Sequence, residues 1–156
     1  MLRIDRLPKR NFVLSDGNTE LGRLIYPSGW SEKAEVLVPE GVFQITGQKG
    51  FWATGFTVNF NGHAVMEITY TWKGGGKLKR PGQPERSLEY RPLSFWKQRF
   101  KVIDHAGRER MILHAKHNWK SIDPDHIVEM MHEPPIEPLE VLAIIHAINM
   151  GYRRSV

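Results

Sequence analysis

Apolar residues crowd the end of the chain, where Leu139, Val141, Leu142, Ala143, Ile144, Ile145, Ala147, Ile148, Met150 and Tyr152 leave Glu140, His146 and Asn149 as a polar minority. At about 100° per residue this set runs almost all round a helix, predicted here over 137–152. A helix without a polar face has to be surrounded. Upstream the pattern changes to short alternating stretches bounded by turn residues, which predicts antiparallel hairpins. The clearest joins Phe56–Phe60 to Ala64–Tyr70 through Asn61-Gly62, the pair best able to hold positive φ at both centres of a type I′ turn.

Two further hairpins follow from the same logic. Asn11–Leu14 turns through Ser15-Asp16-Gly17-Asn18 into Leu21–Tyr26, and Trp96–Ile103 turns through Asp104-His105-Ala106-Gly107 into Arg108–Lys116. Weaker strands are predicted at Leu2–Arg6, Glu35–Val38, Val42–Thr46, Leu88–Leu93 and Ile127–Met131. The segment Lys73–Arg86, KGGGKLKRPGQPER, reads as a mobile connection with five positive charges and one negative.

The economical architecture is mainly β (α+β): an antiparallel β-barrel of about 11–12 strands, within 1–133, wrapped around one hydrophobic C-terminal helix. Lengths agree, since strands of about 8 to 10 residues tilted near 40° project to roughly 20 to 25 Å, and about 14 helical residues span about 21 Å. That is too short for a transmembrane span. Pro134, Pro135 and Pro138 suit the corner before the helix, and Arg153 with Arg154 suit its negative end. Residues 1–156 are read as one domain, with 40% hydrophobic residues to form its core.

Charge adds a direction. A formal net charge of +5 favours an anionic partner. Alternation places Trp96, Phe100 and Val102 on one face of the third hairpin and Lys97, Arg99 and Lys101 on the other. Arg108, Arg110, His114 and Lys116 join that second face from the returning strand, with Ile112 among them. Like charges so arranged repel unless an anion, or acids such as Glu67 and Glu89, lie beside them.

Catalytic and metal chemistry find little footing. There are no cysteines, no GxSxG and no phosphate-loop fingerprint. His114 and His117 are three apart in a strand and face opposite ways, so they do not form a ligand pair. His126 and His132 with Asp123, Asp125, Glu129 and Glu133 lack a metal-site spacing, and His146 reads as a hydrogen-bonded core residue. No catalytic residue, metal or cofactor is assigned. The five tryptophans, Trp30, Trp52, Trp72, Trp96 and Trp119, read as core or barrel-end packing. The start, MLRIDRLPKR, lacks an apolar run and argues against a secretory signal, so the expected location is cytoplasmic, with peripheral association at a membrane surface.

The run of hairpins ending in LEVLAIIHAINMGY, with FWKQRFKVIDHAGRERMILHAK and NWKSIDPDHIVEM as the last strands before it, resembles the tubby C-terminal-like superfamily. That group includes tubby domains, phospholipid scramblases and LURP-one-related proteins. The resemblance implies a twelve-stranded barrel threaded by its terminal helix. It implies no shared activity, because tubby domains bind phosphoinositides, scramblases act at membranes and many small relatives have no assigned role.

The expectation is therefore a non-enzymatic protein that binds anionic lipid headgroups, phosphoinositides included, or another polyanion. Lys97, Arg99, Lys101, Arg110 and Lys116 would form the face, and Lys77, Lys79 and Arg80 would extend it. Nucleic acid ranks below lipid as a partner, and oligomeric state is unassigned. The alternative is an enzyme or a carrier of small apolar ligands with a calycin-like cavity.

Overall fold

A computed structural model describes residues 2–7, 11–27, 33–47, 55–71, 74–94, 99–116, 125–130 and 136–155. Among them the chain is mainly β, with antiparallel strands in one sheet and a single C-terminal helix. The strands are β1 (Leu2–Leu7), β2 (Asn11–Asp16), β3 (Thr19–Ile25), β4 (Ala34–Val38), β5 (Gly41–Gly47) and β6 (Gly55–Phe60). They continue as β7 (His63–Tyr70), β8 (Gly76–Lys79), β9 (Leu88–Ser94), β10 (Arg99–Asp104), β11 (Glu109–Lys116) and β12 (Asp125–Met130), and the helix α1 is Pro138–Ser155. Each strand pairs with the next in sequence, and β1 also pairs with β12 over Leu2–Val128, Arg3–Ile127 and Ile4–His126.

Turn chemistry sets the hairpins. Asn61 (φ 51°) and Gly62 (φ 81°) both adopt the left-handed conformation that a type I′ turn requires, as their sequence predicts. Inward positions of the strands, such as Phe12 and Leu14, Val36, Met66 and Ile68, are all but fully buried, while their neighbours in sequence face out.

All residues from Leu139 to Met150 are buried, Glu140, His146 and Asn149 included. The helix meets β3, β4, β6 and β7, with Leu142 reaching Gly22 and the Tyr70 hydroxyl donating to the Ala147 carbonyl at 3.0 Å. Each large aliphatic side chain buried in this way contributes about 1.5–3 kcal/mol of transfer free energy. A helix without a polar face is thus buried from Leu139 to Met150.

The segment Lys73–Arg86 departs from its expected character as a mobile loop. It contains β8, paired to both β7 and β9, and a 3₁₀ turn at Pro84–Arg86. Leu78 is completely buried, and the Tyr90 ring lies against Gly76, where a Cβ would come within 2.6 Å of it. The glycines serve close packing here: Gly75 and Gly76 leave room for Tyr90 and its backbone.

Candidate functional site

The outer surface of β8–β11 carries four of the predicted cations, Lys77, Lys79, Arg99 and Lys101. In β8, Lys77 and Lys79 alternate with buried Gly76 and Leu78, so both face out. Lys77 stands opposite Glu89, and Lys79 opposite Glu67. In β10, Lys101 lies between Arg91 of β9 and Ile112 of β11, while Arg99 lies between Ser94 and His114. Arg91 and Lys101 are like charges directly across the strand pair, an arrangement that costs stability unless an opposite charge intervenes. The cation Arg91 had no place in the sequence reading, although its parity with Glu89 puts the two on one face.

Carboxylates temper this surface selectively. Glu89 accepts from Arg91 Nε at 2.9 Å and from Arg91 Nη2 at 3.1 Å, and these bonds hold its carboxyl below the usual range against the opposing effect of partial burial. Lys101 Nζ is 3.9 Å from Glu109, a loose contact. Arg99 is half-buried, and its Nε is fully buried with no hydrogen-bond partner among the described residues.

Two predicted cations are occupied elsewhere. A register shift between Val102 and Ile103 pairs Ile103 with Glu109, so Arg110 becomes the extra residue of a β-bulge. The bulge brings Arg110 to the buried Asp104 carboxylate, with Nη1–Oδ2 at 3.4 Å, instead of leaving it on the open face. Asp104 also organises its turn: Oδ1 accepts the backbone N–H groups of Ala106 and Arg108, both at 3.0 Å, and Oδ2 accepts Arg108 Nε at 3.0 Å. Burial pushes this carboxyl up, but the backbone N–H groups of Arg108 and Ala106, together with the two guanidiniums, hold it below the usual carboxylate range.

Arg80 is taken up at the start of α1. Its Nη2 lies 2.9 Å from Glu137 Oε2, and Arg86 Nη2 lies 2.7 Å from Glu137 Oε1, so one carboxylate is clamped by two arginines. Arg80 Nε is 3.6 Å from Glu140 Oε2. Burial raises the Glu140 carboxyl despite the nearby Arg80 charge, and the Glu137 charge adds to that rise. Glu137 and Glu140 were invisible as partners because 57 residues separate Arg80 from Glu137. Lys97 lies outside the described residues, as does the side chain of Lys116, whose backbone pairs with Asp125 at the end of β11.

Two clefts flank this region. One of about 380 Å³ is lined by Lys77, Lys79, Glu89, Arg91, Ile103 and His105, among others; a second, of about 270 Å³, lies where Arg86, Arg108 and Arg110 meet Asp104, Glu137 and Glu140. Both include polar and charged groups, in keeping with an ionic ligand rather than an apolar one.

The other expected chemistries resolve as follows. His146 is a core residue with Nδ1 2.8 Å from the Tyr26 hydroxyl. Ser87 Oγ donates to the Pro84 carbonyl. Among the described residues no group of three or more His, Asp or Glu forms a metal-like cluster. His117 and His132, Asp123 and Glu133, and all five tryptophans lie outside the described residues, as do the side chains of Asp125, His126 and Glu129.

No family model, curated protein or solved structure matches this chain.

Proposed function

We propose that the protein is a non-enzymatic binding barrel, closed at the β1–β12 seam around α1, which recognises anionic lipid headgroups or another polyanion on the outer face of β8–β11. The observation that carries this reading is the juxtaposition of Arg91 and Lys101 across β9 and β10, with Arg99 beside them and Lys77 and Lys79 on the neighbouring strand. Five cations are spread along this face, and the carboxylate of Glu89 among them is committed to Arg91. A bound anion would offset repulsion that Glu89 and Glu109 leave only partly balanced.

The burial of Leu139–Met150 and the three residue pairs between β1 and β12 support closure. The same enclosure of an apolar terminal helix by antiparallel strands supports a likeness to the tubby C-terminal-like superfamily. It also favours binding at the surface over a calycin-like cavity, because helix side chains take up the space such a cavity needs.

Flotation with neutral vesicles and with vesicles containing phosphatidylserine or a phosphoinositide, at low and physiological salt, tests the reading. Recovery with anionic vesicles alone, weakened by salt and abolished by Arg99→Glu with Lys101→Glu, is the expected result. Recovery that is absent throughout, or undiminished in the double variant, would overturn it.

A further inference from the structure

We propose that the cleft between β8, β9 and the β10–β11 turn is a subsite for a phosphate monoester, gripped by Lys77 and Lys79 with His105 at its rim. The inference rests on the anion-binding reading above and adds to it a location and a ligand chemistry.

The first argument is which charges are uncommitted. Of the carboxylates lining the cleft, Glu89 spends both oxygens on Arg91, and Asp104 spends both on the 104–108 turn, Arg108 and Arg110. Lys77 and Lys79 line the same cleft, and neither makes an ion pair or a hydrogen bond among the described residues. Lys77 acts on Glu89 only through its charge. The cleft therefore offers ammonium groups whose hydrogen-bond donors are free and acids whose acceptors are largely occupied.

Spacing is the second argument. Same-face neighbours on a strand are about 7 Å apart. A tetrahedral phosphate held from two sides, each ammonium about 2.8 Å from an oxygen, spans a similar distance. The strand itself is rigidly placed, since Leu78 between the two lysines is completely buried and β8 is paired on both edges. Two fixed stems at this separation suit one compact anion.

The third argument concerns charge density. A phosphate monoester carries close to two negative charges near neutral pH, whereas a diester carries one. Lysine ammonium groups act as point charges and gain most from the more concentrated anion. Arg91, paired with Glu89, also lines the cleft. A cleft of about 380 Å³ is roomy enough for a phosphate with a small substituent.

The monoester could belong to a lipid headgroup or to a free phosphorylated small molecule, and two assays separate these sources. In flotation, vesicles with phosphatidic acid, a monoester, are compared with phosphatidylglycerol vesicles, a diester, at matched surface charge. In solution, glycerol 3-phosphate is titrated while backbone amide resonances of β8 and β9 are followed. The intact protein should favour phosphatidic acid by about tenfold, and Lys77→Ala with Lys79→Ala should lower recovery on both lipids and bring the two to the same level, erasing the preference.

Shifts confined to β8, β9 and the 104–107 turn on titration place the monoester in the cleft and identify a free-ligand source; preference on vesicles without such shifts identifies a lipid source. Equal recovery on the two vesicle types, with no response to glycerol 3-phosphate, would overturn the subsite and leave the broader cationic face standing. A preference that survives in the double variant would overturn its location. No recovery on either lipid and no titration response would overturn both readings together.

Discussion

The Tyr26 hydroxyl lies 2.8 Å from Nδ1 of His146, joining the end of β3 to the middle of α1 across 120 residues of sequence. The two rings are also stacked at a tilt, with centroids 5.4 Å apart, and Phe56 approaches the imidazole edge-on at 4.7 Å. One ring nitrogen of a polar residue at the centre of an apolar helix thereby gains a partner at the end of a specific strand. That contact helps to fix the rotation of the helix inside the sheet, because turning it would take the imidazole from its partner.

Tyr26→Phe removes the hydroxyl and keeps the ring. The loss of one buried hydrogen bond should cost about 1–2 kcal/mol, which for a chain of this size lowers Tm by about 2–8 °C. Thermal unfolding followed by circular dichroism measures it. An unchanged Tm would show that this bond contributes nothing to holding the helix.

Asn149 is the opposite case. It is completely buried on α1, yet among the described residues neither Nδ2 nor Oδ1 has a hydrogen-bond partner. An amide in that position carries its desolvation cost without compensation, so Asn149→Leu, of similar volume, should raise stability by about 1 kcal/mol. Denaturant titration at constant slope reads the change. A loss of stability instead would mean that the amide is hydrogen-bonded to an ordered water in the core.

Gly76→Ala probes the packing that holds β8. The added Cβ would come within 2.6 Å of Tyr90 Cε1 and 2.7 Å of its hydroxyl oxygen, so the ring must move or the strand must shift. The expected cost is about 1–3 kcal/mol. Combining it with Tyr90→Leu should be less than additive, since the second change removes the atoms that collide. Strict additivity in that double-mutant cycle would separate the glycine from the ring.

Two buried carboxylates give opposite pH signatures. Glu140 has its carboxyl raised by burial, so the stability tied to its protonated form is fully present below its unfolded pKa and is lost as pH rises through the raised folded value. Relative to Glu140→Gln, the wild type should gain stability as pH falls from neutrality through that window. Asp104 is held below the usual range, so its contribution is present above its unfolded pKa and is lost as pH falls through the folded value. Asp104→Asn should be most damaging near neutrality and converge on the wild type in acid. Tm measured from about pH 3 to about pH 8 separates the two windows.

Removing the helix tests its place in the core. A chain ending at Ile136 loses every buried side chain from Leu139 to Met150, and it should fail to give a cooperative unfolding transition. A truncated chain that retains one would make α1 an accessory element.

Local chemistry was enough to write much of this fold from the sequence. Asn61-Gly62 makes a type I′ turn wherever two strands flank it, and an apolar run with only Glu140, His146 and Asn149 as relief demands enclosure by whatever precedes it. The outward placement of Arg99 and Lys101 was equally legible, because alternation along a strand is a short-range rule, whereas Lys77 and Lys79 were singled out only as charges on a connection expected to be mobile. What alternation does not contain is the identity of neighbours. The strand Gly76–Lys79 has Leu78 as its one large apolar residue beside one glycine and two lysines, and it forms because β7 and β9 offer both edges for pairing. Arg80 and Arg110 were placed with the binding cations from sequence, but the fold pairs the first with Glu137 and Glu140 and uses a bulge to turn the second toward Asp104. Which charges remain free to meet a ligand was decided by tertiary structure alone, since an ion pair depends on distance in space and the chain writes only distance in sequence.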